Sequence, residues 1–583
     1  MTDPAALLPL SVAFPVIGAV LAPALGRWSG KAALGASLAA LGGSMAVLAY
    51  AAPAVYGGRV LVENLGNWHP VHGTQLGVTF AADAFGMTFA LLVACIGSLL
   101  LLYTFSSLGG LGSKELSGYA CLFQLLLAAL IAGGLTADAL NLFVWFEVAA
   151  LASYGLTGFF LERPIALEAG FKIMVLTNMA SFLVFIAVLI LYRDHGALNF
   201  GQLRTAFDQD GLNAADLAAL AFMVAGFGTK AGLIPFHGWL PDAHTAAPGP
   251  VSALFSGLMV ALGIVGISRF AYDVFPLHSS ELLRLLTALG CVSAILGAVL
   301  ALAQDDLKRL LAYDTVSQMG VLLVACGTGS LEGLTGMVYH LMDHALFKTL
   351  LFLCAGSILH ATGMTKLSEM GALARHRPVT TTAFVVASLA IAGIPPMNGY
   401  VSLGLIHHSV EVGHHYVAFS ALVVAQVVTV AALGRAAYLA FFRRRTERYE
   451  SLERPNFGMY VAFGLLAAGC VAFGAAPSLV LDHVATPAAV SLINGRTYAV
   501  DALGTLVRMP HETVPFHFFD PTQVGEVIGT VVLGGLLAAW YVRREREPRA
   551  VSWLRALHNG SVNDYASWAV AGTLVVLAVL VWA

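Results

Sequence analysis

The sequence predicts an all-α polytopic membrane protein, on three observations. The 583 residues are 58% hydrophobic and 11% charged, with a mean hydropathy of +0.81. Apolar runs of about 20 residues, the length needed to cross a bilayer, recur about sixteen times. Lys and Arg collect in alternate loops. With 30 Lys+Arg against 33 Asp+Glu, nothing in the charge balance suggests nucleic acid or an acidic substrate as a partner. Lipid and other membrane proteins are the expected partners.

Taken in order, the apolar segments begin near Ala5, Ala32, Ala82, Leu116, Leu140, Ala166, Ala214, Val251, Leu282, Leu310, Gly333, Thr380, Val417, Met459, Val524 and Ala566. The opening run, MTDPAALLPLSVAFPVIGAV, lacks a basic n-region and a small-residue cleavage site, so it reads as a retained first helix. Pro53 to Phe80, Asp194 to Asn213 and Asp482 to Gln523 are polar but too short for soluble domains, and the ending LVVLAVLVWA leaves no room for one. Odd-numbered loops hold 19 of the 30 basic residues, including the Arg443–Arg448 and Arg543–Arg555 clusters, whereas even-numbered loops hold seven. By the positive-inside rule the odd loops are cytoplasmic. This puts the N-terminus outside a prokaryotic plasma membrane. The six cysteines stand singly in apolar runs without metal-ligand spacing and read as small buried hydrophobes.

A charge at bilayer depth costs at least about 2.5–3.5 kcal/mol on insertion scales, so it usually faces a cavity or a partner. Glu147 lies about seven residues into an apolar run, either as an interfacial carboxylate or as a buried ion-pairing or proton-accepting group. Lys172 is near a span end and either snorkels or turns inward. Lys230 closes LAALAFMVAGFGTK and is followed by Pro235 and Pro241. Either these prolines shape an extramembrane loop, or they break a helix at membrane depth beside a cavity. His340, His344 and Lys348 are spaced i, i+4, i+8 and share one helical face. The stripe could join helices by hydrogen bonds or relay protons, since imidazole and a desolvated lysine can both exchange them. A metal site on the two histidines lacks a third ligand at suitable spacing. A second interrupted run, SLAIAGIPPMNGYVSLGLIHH, contains Pro395 and Pro396. Two such breaks, five segments apart, are the sign of two inverted five-helix repeats.

At these residues the sequence resembles the antiporter-like subunits shared by respiratory complex I, Mrp cation/proton antiporters and membrane-bound [NiFe] hydrogenases. The stretches that carry the resemblance are FVWFEVAALASYGLTGF, GTKAGLIPFHGWLPDAHTAAPGPVSALFSG, QDDLKRLLAYDTVSQMGVLL, YHLMDHALFKTLLFLCAGSILHATG and GIPPMNGY, within roughly 116–415. AHTAAPGPVSALFSG leans toward the hydrogenase and Mrp branches. The resemblance implies a 14-helix core with broken helices 7 and 12. It divides the chain into helices 1–3 (1–115), a first repeat of helices 4–8 (116–275), a second of helices 9–13 (276–442) and helices 14–16 (443–583).

The same resemblance assigns proton translocation to Glu147, Lys230, His340, His344 and Lys348, with Glu147 and Lys230 as a pair. It makes Asp305, Lys308 and Arg309 a structural or loop-coupling cluster, and Pro235 and Pro395 the breaks. Lys172, His244, His407, His408 and Glu411 are accessory candidates, with His244 suited to proton uptake and His237 to cavity lining. Two departures from the family pattern stand out. Helix 8 carries Ser256 and Ala261 where a lysine or histidine is usual, and Leu403 follows the second break where Lys or Glu is usual. Protons would therefore leave by another route near His407 and His408, or the subunit would serve as structural coupling. The expected function is a proton- or cation-translocating subunit of a multisubunit complex, with protons as the first candidate ion and Na+ as the second. The alternatives are a stand-alone solute transporter and, more remotely, a metalloenzyme. No cofactor motif is present, and neither a cofactor nor a metal is expected.

Overall fold

The computed structural model describes residues 3–68, 75, 77–276, 280–444, 452, 455–503, 507–544, 548–558 and 560–582. Among these, fifteen helices are long and apolar enough to cross a membrane. The first six are α1 (Pro4–Leu25), α2 (Gly30–Tyr56), α3 (Ala84–Ser107), α4 (Ser113–Leu135), α5 (Ala139–Thr157) and α6 (Pro164–His195). A short α7 (Phe200–Asp210) leads into α8 (Ala214–Ala231), then α9 (Trp239–Ala246) and α10 (Gly249–Val274). There follow α11 (Glu281–Leu302), α12 (Leu307–Gly327) and α13 (Leu331–Thr362). The twelfth predicted segment is divided into α14 (Pro378–Ile391) and α15 (Asn398–Val412). With α16 (Tyr416–Phe442), α17 (Phe457–Ala475), α20 (Pro521–Arg543) and α22 (Val562–Trp582), the predicted crossings are accounted for. Shorter helices α18 (Pro477–Ile493), α19 (Gly495–Ala502) and α21 (Arg549–Leu557) link the last of these.

Polar residues set the helix ends. Asp83, Asp138 and Asp306 cap α3, α5 and α12 by accepting from Gly86, Asn141 and Arg309 amides at 2.9, 2.7 and 2.9 Å. Asn213 and Asp216 form a capping box at the start of α8. The polar stretch after α2 holds a small antiparallel hairpin, Leu61–Asn64 with Thr79–Ala82, which the apolar pattern did not reveal.

Helices α10 and α12 are buried throughout and form the centre, whereas α20 and α22 lie at the rim. Outward faces such as Phe171, Phe182 and Ile186 on α6, or Ile528, Val532 and Leu536 on α20, are apolar and exposed, as contact with hydrocarbon requires. Glycines let α11 and α12 approach closely: a Cβ on Gly297 would lie 2.5 Å from the Ser317 nitrogen.

One assignment in the loop tally is corrected. Arg269, one of the seven basic residues assigned above to even-numbered loops, lies inside α10, 2% exposed, where Asp83 and Asp273 accept from its guanidinium at 2.9 and 2.7 Å. Tyr498 and Phe85 flank the same guanidinium. A buried arginine is tolerable only with such partners. Arg445, Arg448, Arg454 and Arg546 of the same tally lie outside the described residues.

The two rim helices each cover one break. Tyr565 and Gly572 of α22 pack against Gly238 and Pro235, in the link between α8 and α9. At the second break, Gln523 of α20 donates to the Tyr400 carbonyl at 2.7 Å, and the Tyr400 hydroxyl donates to the Phe518 carbonyl at 2.7 Å.

Candidate functional site

Helix α8 stops because Gly232 takes up a left-handed conformation (φ 70°), which glycine reaches without steric cost. The freed backbone groups find partners: the Trp239 indole donates to the Thr229 carbonyl at 2.7 Å, and the Ile234 amide donates to Ser293 Oγ at 3.0 Å. The prolines therefore break a helix inside the protein, where the backbone can be satisfied, and do not form an extramembrane loop. Pro395 occupies the corresponding link between α14 and α15.

Lys230 sits in the last turn of α8, fully buried. Its Nζ has no hydrogen-bond partner and lies 4.4 Å from the centroid of the Phe146 ring. Glu147, the next residue on α5, is half-buried. The expected Glu147–Lys230 pair is thus adjacent but not in contact. A cation–π contact contributes about 0.5–2 kcal/mol. That falls short of the several kcal/mol that removing an ammonium from water costs.

Lys172 does not snorkel. It lies 2.7 Å from Glu168 and 2.8 Å from Asp242 on α9. Asp242 in turn is 3.7 Å from Arg309. The Asp305, Lys308 and Arg309 cluster fans out to three places. Asp305 accepts from the Ser368 amide at 3.0 Å, Lys308 donates to the Ala247 carbonyl at 2.7 Å and to Ser252 Oγ at 3.3 Å, and Arg309 reaches Asp242. Each contact ties the start of α12 to a different neighbouring segment.

The stripe on α13 is buried along its length. His340 contacts Ser402 Oγ of α15 through Nδ1 and Gln318 Oε1 of α12 through Nε2, both at 3.0 Å. His344 has no hydrogen-bond partner and meets the Phe347 ring edge-on. Lys348 is ion-paired with Asp314 on α12, and neither side chain is exposed. His244 on α9 is buried and unpartnered, stacked on Phe352 at 4.7 Å. It lies within electrostatic range of both Lys308 and Lys348.

Two carboxylates join the site that were not singled out from the sequence. Asp314 neutralises Lys348. Asp343, between His340 and His344, is fully buried with no hydrogen bond to either oxygen, although Asn398 and Ser402 approach it. The signal was available, because both lie inside apolar segments. The neutral partners Gln318 and Ser402 carried none.

The departures fall where small or apolar groups fill space. Ser256 Oγ contacts Thr315 Oγ1 at 2.7 Å, and Ala261 is buried on the same helix. Leu403 faces a small cavity shared with His407 and Glu526. His407 Nδ1 lies 2.5 Å from Glu526 Oε1 on α20, and His408 Nδ1 lies 2.6 Å from Glu332 Oε1. Glu411 is exposed. Two larger cavities mark opposite ends of α13. One, of about 480 Å³, is lined by Glu332, His407, His408, Glu411 and Glu526. The other, of about 580 Å³, is lined by Tyr103, Arg163, Pro248, Lys308 and His360. His237 is buried in the first break, with Nε2 2.9 Å from Nε2 of His558.

Among the described residues, no group of three or more His, Cys, Asp or Glu side chains is placed to hold a metal ion. Known proteins agree with this architecture. The family described as NADH:quinone oxidoreductase/Mrp antiporter, transmembrane, matches residues 136–429. Hydrogenase-4 component B of Escherichia coli is 34% identical over 68% of this chain and 62% of its own length. NADH-quinone oxidoreductase subunit N of Desulforudis audaxviator is 32% identical over 76% of this chain and 88% of its own. A chain of the Mrp complex from Dietzia superposes with a TM-score of 0.77 at 24% identity, covering 86% of this chain and 100% of that one, which speaks for the fold. A chain of an archaeal membrane-bound sulfane sulfur reductase does so with 0.77 at 26% identity, covering 85% and 99%. This chain belongs to the NADH:quinone oxidoreductase/Mrp antiporter transmembrane family.

Proposed function

We propose that the chain is a proton-translocating membrane subunit of a multisubunit complex, driven by redox chemistry in other subunits or by an ion gradient. The observation that carries this reading is the file of buried ionisable groups through an apolar core: Lys308, His244, Lys348 with Asp314, His344 and His340. Burying so many such groups has a cost that close packing of hydrophobic residues would avoid, so their presence favours a transport role over a scaffold.

In this reading protons arrive through the cavity beside Lys308 and His244 and pass along the α13 stripe. Lys230 and Glu147 control the step. Lys230 packs on the Phe146 ring without a hydrogen bond to Glu147, and an input that brings Glu147 closer or drives it away changes the field along the stripe. The distribution of loop charges supports a reading with the Lys308 cavity on the cytoplasmic side and the N-terminus outside. Na+ is a second candidate ion for the same path, and the other subunits supply the driving reaction. Lys172, Asp305 and Arg309 hold the surrounding helices in place.

The direct test uses membrane vesicles carrying the native complex, with a pH-sensitive dye reporting flux. Lys230→Ala is expected to abolish translocation while the complex remains assembled. Unchanged flux would remove Lys230 from the mechanism.

A further inference from the structure

Leu403 offers no ionisable group to the cavity at the second break, so the file of titratable side chains on α13 needs another way out. His340 reaches Ser402 on α15 at 3.0 Å. His407, five residues on and about 7.5 Å farther along the same helix, is 7% exposed and lies 2.5 Å from Glu526 Oε1. Glu526 comes from α20, outside the residues that match the family. It lines the small cavity with Leu403 and also the cavity of about 480 Å³ that is lined by Glu332, His408 and Glu411. It thus stands between the buried file and a wide polar chamber, opposite the side chain that lacks a charge.

We propose that Glu526, supplied by the rim helix α20, is the carboxylate through which protons leave, with His407 relaying to it. This rests on the translocation reading above. A proton reaching Ser402 crosses to His407 through one or two bridging waters, a separation that ordered water commonly spans. Neutral His407 accepts it on one ring nitrogen and releases the other proton from Nδ1 to the Glu526 carboxylate. Glu526 then gives its proton to water in the chamber and is a carboxylate again, while His407, left with its proton on Nε2, regains the starting tautomer by exchange with water or a ring flip before the next cycle. No bond other than those to hydrogen is made or broken. Glu332, His408, Glu411 and Asp520 face the same chamber and set its local potential. Helix α20 is therefore part of the transport path as well as a cover over the second break.

The test measures dye-reported proton flux in vesicles carrying the native complex, normalised to assembled complex. Glu526→Gln is expected to reduce flux to the level of Lys230→Ala, and Glu526→Asp to retain most of it. Leu403→Glu combined with Glu526→Gln is expected to restore flux, because the two side chains line one cavity; a merely structural role for Glu526 would not be rescued in this way. Wild-type flux in Glu526→Gln alongside lost flux in Lys230→Ala overturns this proposal and leaves the translocation reading standing, whereas wild-type flux in both overturns both. If Glu526→Gln does not assemble, a hydrophobic carbodiimide applied to the wild-type complex decides. Modification found at Glu526 with loss of flux supports the proposal. Flux blocked with Glu526 unmodified overturns it.

Discussion

Lys348 and Asp314 show how residue-scale energetics shape the axis. Both side chains are wholly buried, so removing one leaves the other as an uncompensated charge, at about 3–5 kcal/mol. Asp314→Ala is therefore expected to lower the amount of assembled protein sharply. Replacing the pair together with Leu and Met should be far milder, and thermal unfolding of detergent-solubilised protein would show the difference. Equal losses in single and double variants would mean that the pair is not an energetic unit. At this scale the sequence was informative about lysines and histidines, because each stands out in an apolar run. It was less so about their partners. Asp314 and Asp343 lie in stretches that carried the family resemblance, yet only a three-dimensional structure shows that one pairs with Lys348 and the other points at Asn398 and Ser402. Glu147 and Lys230 illustrate the reverse: the resemblance named them as a pair, but the Phe146 ring against which the Lys230 ammonium packs was not legible.

Between residues and the whole protein stand the helices and their ends. Gly297 gives α11 its close approach to α12, and a side chain there meets backbone that cannot move aside. Gly297→Val should separate the two helices and cost about 1–3 kcal/mol, the usual range for overpacking, seen as a lower melting temperature. Helix α19, outside the membrane spans, supplies a pH response. Burial pushes the Asp501 carboxyl up to about 6, although the Val507 amide donates to it at 2.7 Å and works the other way. Between the usual carboxylate range near 3.8 and about 6, the folded state binds more protons than the unfolded one. The contribution of this group to stability is therefore full below about 4 and is lost as pH rises through about 6. Hydrogen exchange across 495–503 should accelerate over that window, and Asp501→Asn should flatten the dependence. The broken helices were readable because proline and glycine interrupt apolar runs. The hairpin after α2 was not, since its strands are short and flank a polar stretch. Arg269 was misplaced for a related reason: a charge near the end of an apolar run looks like a loop residue until Asp83, far away in sequence, is seen to neutralise it.

For the whole molecule, the loop charges predict which end of the bundle faces the cytoplasm. In a variant lacking the native cysteines, Val412→Cys should react with a membrane-impermeant thiol reagent on intact cells, and Lys366→Cys should not. The opposite labelling pattern would invert the direction assigned to the path. Helix number and the two interruptions could be read from apolar run lengths, but the placement of α20 and α22 over those interruptions could not. Run length says that a segment crosses the membrane and nothing about which neighbour it chooses.

That placement also bears on biogenesis. Both interruptions are made and inserted well before α20 and α22 leave the ribosome, so each passes through a period without its cover. The first link carries buried His237 just beyond buried Lys230, and both links hold backbone that the later helices help to enclose. Insertion factors or the first arriving partner subunits would have to shield them from lipid during that interval. An arrest of synthesis before Pro521 should therefore leave a nascent chain with both links open, a stage at which premature ion leakage through the bundle is most readily checked.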